Sequence, residues 1–220
     1  MPESRYHAVL FDLDGTLADT AADLAGALNR QRQRHGLAPL PFEQLRPHAS
    51  HGARGLLAEG FGVAPEDARF AELREEFLAL YAQALCVETH LFRGADALLN
   101  TLEARGLRWG IVTNKVAALT HPLLELLGLA QRAGCVVCGD TTPHPKPHPE
   151  PLLHAARSLA VPASACLYVG DGERDMQAAR DAGMAGLVAR YGYIAGHEQP
   201  ETWPALGIID AVGEVLEHLD

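Results

Sequence analysis

Three short apolar runs, each cut off by a polar residue, constrain this chain more than anything else in it. Ala8-Val9-Leu10-Phe11 ends at Asp12-Leu13-Asp14-Gly15-Thr16, Trp109-Gly110-Ile111-Val112 at Thr113-Asn114, and Cys166-Leu167-Tyr168-Val169 at Gly170-Asp171-Gly172. None alternates apolar with polar, which is how strands buried on both faces of a parallel sheet read. Cys135-Val136-Val137-Cys138 and Ala185-Gly186-Leu187-Val188-Ala189 are two further candidates. Helical patterns separate them at Ala95 to Glu103, Leu119 to Leu127, Pro149 to Leu159 and Asp175 to Ala182, and another closes the chain from Ala211 to Leu219. Strands alternating with helices predict an α/β fold, a doubly wound parallel sheet of Rossmann-like form.

One stretch breaks the alternation. From Thr20 to about Leu91 every periodic segment is helical, so an all-helical insert of roughly 70 residues is expected as a cap, within the usual size of a domain. The expected division is a core of residues 1–18 and 92–220 and a cap of 19–91, with joints near Leu17 to Thr20 and near Phe92-Arg93-Gly94.

Composition excludes several functions. With 18 Lys and Arg against 28 Asp and Glu the net charge is −10, which offers no electrostatic footprint to nucleic acid or an anionic membrane. No apolar run reaches bilayer length, the first residues lack the layout of a signal peptide, and four cysteines do not make a disulfide framework. A cytoplasmic protein with reduced thiols is expected.

In open α/β sheets the site lies at the carboxyl ends of the strands. Those ends carry Asp12 and Asp14, Thr113, and Asp171 with Asp175 one helical turn on, while Lys146 sits in the loop His144-Pro145-Lys146-Pro147. Close carboxylates repel unless a positive charge sits among them. A hard divalent cation, Mg²⁺, suits oxygen donors and leaves room for a substrate phosphate. Thr and Lys are phosphate ligands, one by hydrogen bond and one as a point charge. The expected partner is a small phosphorylated metabolite. Taken singly, each residue has an ordinary reading as a turn former, helix cap or solvated side chain; the ordered set is the signal.

That ordered set resembles the haloacid dehalogenase superfamily over nearly the whole chain. Phe11-Asp12-Leu13-Asp14-Gly15-Thr16-Leu17 with Asp19 resembles its first motif, Thr113 its second, Lys146 its third and Gly170-Asp171-Gly172-Glu173-Arg174-Asp175 its fourth, with Gly172 where Ser or Thr is common. Val112-Thr113-Asn114-Lys115 and Lys146 to Leu152 are similar to the phosphoglycolate phosphatase-like branch, and Arg190 to Ile194 with Trp203 to phosphatases of N-acetylmuramic acid 6-phosphate. The resemblance implies Asp12 as nucleophile, giving an aspartyl-phosphate, and Asp14 as acid and then base. It implies Mg²⁺ held by Asp12, the carbonyl of Asp14 and Asp171, with Asp175 on a metal water or on Lys146. Gly15, Thr113, Asn114 and Lys146 would bind the phosphoryl group, and Thr16 would orient Asp14.

Several further assignments follow. Asp19 would cap the first cap helix, and Asp140 would fix the Lys146 loop. His51, Gly52 and Arg54, in the loop opening a cap helix, would select the substrate. Other readings of the same residues are a phosphosugar mutase, which would not steadily release phosphate, a phospho-accepting signalling domain, and a non-catalytic binding protein.

Overall fold

The computed structural model describes residues 5–219. In chain order its elements are β1 (Ala8–Phe11), β2 (Ala18–Asp19), α1 (Ala21–Arg34), α2 (Phe42–Leu45), α3 (Gly52–Phe61), α4 (Phe70–Ala82), β3 (His90–Leu91), α5 (Ala95–Ala104), β4 (Arg108–Val112), α6 (Ala117–Leu126), β5 (Val136–Val137), α7 (Glu150–Ser158), β6 (Cys166–Gly170), α8 (Glu173–Asp181), β7 (Ala185–Ala189) and β8 (Gly207–Ile209).

Six strands form a parallel sheet in the order β5-β4-β1-β6-β7-β8. The chain runs outward from β1 through β4 to β5, then crosses back to the other side of β1 at β6. This reversal opens a crevice at the carboxyl ends of β4, β1 and β6. Those are the three strands whose sequences end in Thr113, Asp12 and Asp171, so adjacency in the sheet assembles what the sequence scatters over about 160 positions.

Side-chain alternation divides the core in two. Val9 and Phe11 face one layer with Leu98, Leu99 and Leu102 of α5 and Leu123 and Leu124 of α6. Ala8 and Leu10 face the other with Leu152 of α7 and Met176 and Ala179 of α8. All four β1 residues are fully buried, which is why their sequence shows no polar alternation.

In the helical insert, Leu24 and Leu28 of α1 pack with Leu56 and Leu57 of α3 and Leu73 and Phe77 of α4. The chain enters and leaves this unit through one short ladder in which Ala18 pairs with Leu91 and Asp19 with His90, antiparallel. Buried Asp23 organises the return strand by accepting hydrogen bonds from the amides of Val87, Glu88 and Thr89 and from the Thr89 hydroxyl.

The structure departs from the sequence reading in three places. Strand β8 carries too little pattern in three residues to be seen beforehand. The β2–β3 ladder has only two residues a side. The closing segment Val212–His218 is a 3₁₀ helix rather than an α-helix. Among the described residues no helix is long and apolar enough to cross a membrane, and Cys86, Cys135, Cys138 and Cys166 are free thiols.

Candidate active site

Asp12 leaves the end of β1 with its backbone N–H donated to Val169 on β6 (2.9 Å) and its Oδ1 accepting the Leu13 amide (2.8 Å). The chain then doubles back: Leu17 and Ala18 donate to the Leu13 carbonyl, and Gly15 donates to Ala18. Gly15 has φ +81°, and a Cβ there would fall on the Asp171 carboxylate and 2.9 Å from the Tyr193 ring, so the turn requires glycine on both counts.

Lys146 is 2% exposed. Its Nζ lies 3.0 Å from Asp12 Oδ1 and 2.7 Å from Asp175 Oδ1, and it donates to the Val112 carbonyl and the Tyr168 hydroxyl, each at 2.8 Å. A buried ammonium in such a cage is held by charge and hydrogen bonds together, and with two carboxylates beside it Asp175 still pairs with it when Asp12 is neutral. The Asn114 side chain clamps the Lys146 backbone from both sides, donating to its carbonyl (2.9 Å) and accepting its amide (3.0 Å). Asn114, expected as a phosphate ligand, uses its side chain to position Lys146. Thr113, at the end of β4, accepts the Lys115 amide at 3.1 Å, which leaves its own O–H to donate.

Asp12, Asp171 and Asp175 each offer an oxygen, and these oxygens lie within 4.8 Å of one another. Burial pushes the Asp12 carboxyl up to about 6 despite Lys146, and burial with the neighbouring Asp12 and Asp175 charges pushes Asp171 up to about 8. Burial also acts on Asp175, but Lys146 and Arg174 more than offset it and its carboxyl is lowered. Both Asp175 oxygens are occupied, by Lys146 and Tyr168 on one side and the Gly172 amide on the other. Asp171 differs. Its Oδ2 accepts the Tyr193 amide (2.9 Å), whereas its Oδ1 is buried without a partner. An orphaned buried carboxylate oxygen beside another carboxylate, with no nitrogen or sulfur donor in the set, fits a hard cation of the Mg²⁺ kind. Asp14 contributes no carboxylate oxygen to this group.

The Asp14 carboxylate faces the helical unit instead. Its Oδ1 accepts the Thr20 hydroxyl (2.5 Å) and lies 2.9 Å from Lys115 Nζ, which sits 4.6 Å from the Tyr81 ring centroid on α4. Thr16, expected to orient Asp14, has its hydroxyl buried without a partner, so Thr20 and Lys115 do this instead. Asp19 does not cap α1 in the way expected. The Tyr193 hydroxyl accepts the Thr20 and Ala21 amides at 2.6 and 3.1 Å and donates to Asp19 (2.8 Å), while Asp19 itself reaches the Ala21 amide only at 3.4 Å. Asp140 caps α6 by accepting the Ala117 amide (2.9 Å), and is not the brace of the Lys146 loop.

His51, Gly52 and Arg54 lie where a 3₁₀ turn, Arg46–His51, passes into α3. Gly52 makes that turn with φ +56°. Arg54 is exposed. Partial burial and the nearby Arg174 pull the His51 ring down from its usual range. Arg174 is the residue that spans the cleft, its Nη2 donating to the Ser50 carbonyl (2.5 Å) and hydroxyl (3.0 Å). Its place immediately before Asp175 in the fourth acidic motif was the sequence signal that could have found it, as adjacency to Thr113-Asn114 was for Lys115. Gly192 and Tyr193 also bind the two units, since Arg46 donates to the Gly192 carbonyl (3.0 Å) with its guanidinium 4.9 Å from the Tyr193 ring centroid, while Tyr191 donates to the Thr16 carbonyl within the core (2.9 Å).

Residues 9–189 match the haloacid dehalogenase-like hydrolases. The chain belongs to that family. It is 40% identical over 220 residues to an N-acetylmuramic acid 6-phosphate phosphatase of Pseudomonas aeruginosa, covering 100% of this chain and 97% of the relative. It is 43% identical over 210 residues to a phosphoglycolate phosphatase of Xanthomonas campestris pv. campestris, covering 96% and 95%. Among solved structures, that of a predicted phosphoglycolate phosphatase from Haemophilus somnus superposes with a TM-score of 0.85 at 25% identity over 97% of both chains. This dehalogenase-like hydrolase therefore shares its whole length with its relatives, helical unit included.

Proposed function

We propose that this hydrolase is a Mg²⁺-dependent, cytoplasmic phosphatase that cleaves small phosphate monoesters through an aspartyl-phosphate on Asp12, with residues 19–91 as the substrate-selecting cap. The observation that carries the reading is the pair of unlike carboxylates two residues apart. Asp12 is set against Lys146 and the acidic cluster, while Asp14 is turned away to Lys115 and Thr20. Separate environments for two carboxyls are how acid and nucleophile roles are divided.

In this mechanism a carboxylate oxygen of Asp12 attacks phosphorus and the bond to the leaving alkoxide breaks. Asp14 gives that oxygen its proton, then removes one from the water that attacks the aspartyl-phosphate, releasing inorganic phosphate and restoring both carboxyls. The Thr113 hydroxyl and Lys146 Nζ hold the phosphoryl oxygens through both steps. Asn114 and Asp175 keep Lys146 in place. Mg²⁺ bound by Asp12, Asp171 and the Asp14 carbonyl would supply charge neutralisation between nucleophile and phosphate. Asp175, with both oxygens engaged, acts through Lys146.

Phosphoglycolate is the favoured substrate type, and N-acetylmuramic acid 6-phosphate is the second reading, supported by the full-length similarity to the Pseudomonas aeruginosa phosphatase. Phosphate release from a panel of phosphorylated metabolites with Mg²⁺ tests the reading. Sustained turnover on at least one small ester is expected. Transfer of phosphate between substrate positions without release would replace a phosphatase with a mutase.

A further inference from the structure

Three cations of the site already have carboxylates. Lys146 contacts Asp12 and Asp175, Lys115 contacts Asp14, and Arg46 lies 3.6 Å from Asp19. Arg174 is different. Among the described residues it forms no ion pair, and the atoms that hold it, the Ser50 carbonyl and hydroxyl, are neutral. Its Nε is buried with no hydrogen-bond partner at all. The charges of Asp175, Asp12 and Asp171 bear on this guanidinium, yet no carboxylate oxygen among the described residues pairs with it, and its Nη2 is fixed by neutral acceptors. A buried donor left unpaired is costly unless something fills it.

The location says what would fill it. Arg174 stands in the first turn of α8, three residues after Asp171, and reaches Ser50 on the helical unit. It therefore spans the cleft between the acidic cluster and the loop of His51 and Gly52, where the non-phosphate part of an ester bound at Asp12 must lie. Arg54, with its side chain in solvent, is not on that path.

We propose that Arg174 is the specificity-determining cation of this enzyme, and that it receives a carboxylate on the leaving group of the substrate. This rests on the phosphatase reading above and narrows it to phosphate monoesters whose alcohol carries a carboxylate close to the ester oxygen. The unpartnered Nε–H is a charged donor for one carboxylate oxygen, while Nη2 stays on Ser50. A second phosphate group fits less well, because its extra charge calls for more than one cation and the other cations are paired. Phosphoglycolate meets that condition, whereas N-acetylmuramic acid 6-phosphate carries its carboxylate on the lactyl ether at C3, remote from the phosphate on C6, so recognition by Arg174 favours the first substrate reading over the second.

The experiment compares 2-phosphoglycolate with ethyl phosphate, which lacks the carboxylate, in the parent enzyme, Arg174→Gln and Arg174→Lys. The readout is the ratio of kcat/KM values for the two esters. We expect the ratio to fall about thirtyfold in Arg174→Gln, the size of one charge-assisted pair. A smaller fall is expected in Arg174→Lys, which keeps the charge and loses the Nε–H. A ratio unchanged in both variants would overturn the proposal, including the case in which both esters lose activity equally, because Arg174 would then serve the phosphate or the cap contact. Calorimetric binding of the same two esters to Asp12→Asn protein, with and without Arg174→Gln, reads recognition without turnover. It separates failure of this proposal, equal affinities in both backgrounds, from failure of the phosphatase reading, selective binding by Asp12→Asn protein with no hydrolysis of either ester by the parent enzyme.

Discussion

Lys115 Nζ lies 2.9 Å from Asp14 Oδ1, and the two side chains are only 8% and 15% exposed. The pair sits at the junction of the sheet and the helical unit, because the Tyr81 hydroxyl also accepts from Lys115 at 3.3 Å. Burial pushes that phenol up to about 12, so it stays neutral. The aim of Asp14 thus depends on a lysine whose place is set partly by α4.

Replacing Lys115 with Met leaves Thr20 as the remaining side-chain hydrogen bond on Asp14. Misplacing a proton-transfer group by an ångström costs on the order of 100-fold, so kcat for an alkyl phosphate should fall by about that factor with a smaller change in KM. Steady-state phosphate release measures this. An unaltered kcat would remove Lys115 from the control of Asp14.

Asp12→Asn should abolish turnover and keep the fold. Burial already raises the Asp12 carboxyl to about 6, so a neutral amide of nearly the same shape suits the metal-free site at least as well at neutral pH. Thermal unfolding in chelator should give a Tm equal to or above that of the parent, with no detectable phosphate release. A large drop in Tm would mean that Lys146 depends on the Asp12 charge for folding.

Metal and pH should act on stability together. Asp12 and Asp171 have folded-state values raised to about 6 and about 8 from 3.8. A carboxyl raised on folding favours the folded state at low pH, and that contribution is lost as pH climbs through the raised value. The lowered Asp175 matters only below its ordinary range, and His51 runs the opposite way through one partly buried ring. In chelator the Tm should therefore decline from pH 5 to pH 8. Mg²⁺ at 100 times its dissociation constant adds about 2.7 kcal/mol, or about 5–10 °C for a chain of this size, and its effect should be larger at pH 8 than at pH 5. A metal-free Tm that rises across this interval would contradict the crowding of these carboxyls.

Tyr193→Phe removes one hydroxyl and leaves the Thr20 and Ala21 amides and the Asp19 carboxylate short of a partner. Losing a buried hydrogen-bond partner costs about 1–3 kcal/mol, to be read as a shift of the urea midpoint with an unchanged slope. A shift near zero would show that water takes the place of the phenol.

The sheet and its strand ends were legible because burial on both faces removes polar residues from the runs around Leu10, Ile111 and Val169, and the period of a strand is visible in four or five residues. The same logic fails for β8 and for the β2–β3 ladder, which are too short to show a period. At the site, sequence spacing grouped the residues that follow strands, Asp12, Thr113 and Asp171. It could not tell which of two hydroxyls, Thr16 or Thr20, reaches Asp14, since Thr16 lies on the tight turn after Asp14 and Thr20 returns from beyond β2 at the start of α1. Nor could it assign Tyr193 or Arg174, whose tasks depend on contacts with residues more than 120 positions away, Thr20 and Ser50.

The two-residue ladder between Ala18–Asp19 and His90–Leu91 brings the start and finish of the helical insertion to within about 5 Å of each other, the spacing of an antiparallel pair. An excursion that returns to its own point of departure is a detachable module: the phosphate-handling body would accept a longer, shorter or different insertion without a change in the path of any sheet strand. Preferences for the parts of a leaving group that Arg174 does not touch can then arise by rewriting one contiguous stretch of gene. The toll falls on the few side chains that cross the seam, Lys115 to Tyr81, Arg174 to Ser50 and Tyr193 to the first turn of α1, which any transplanted module would have to match.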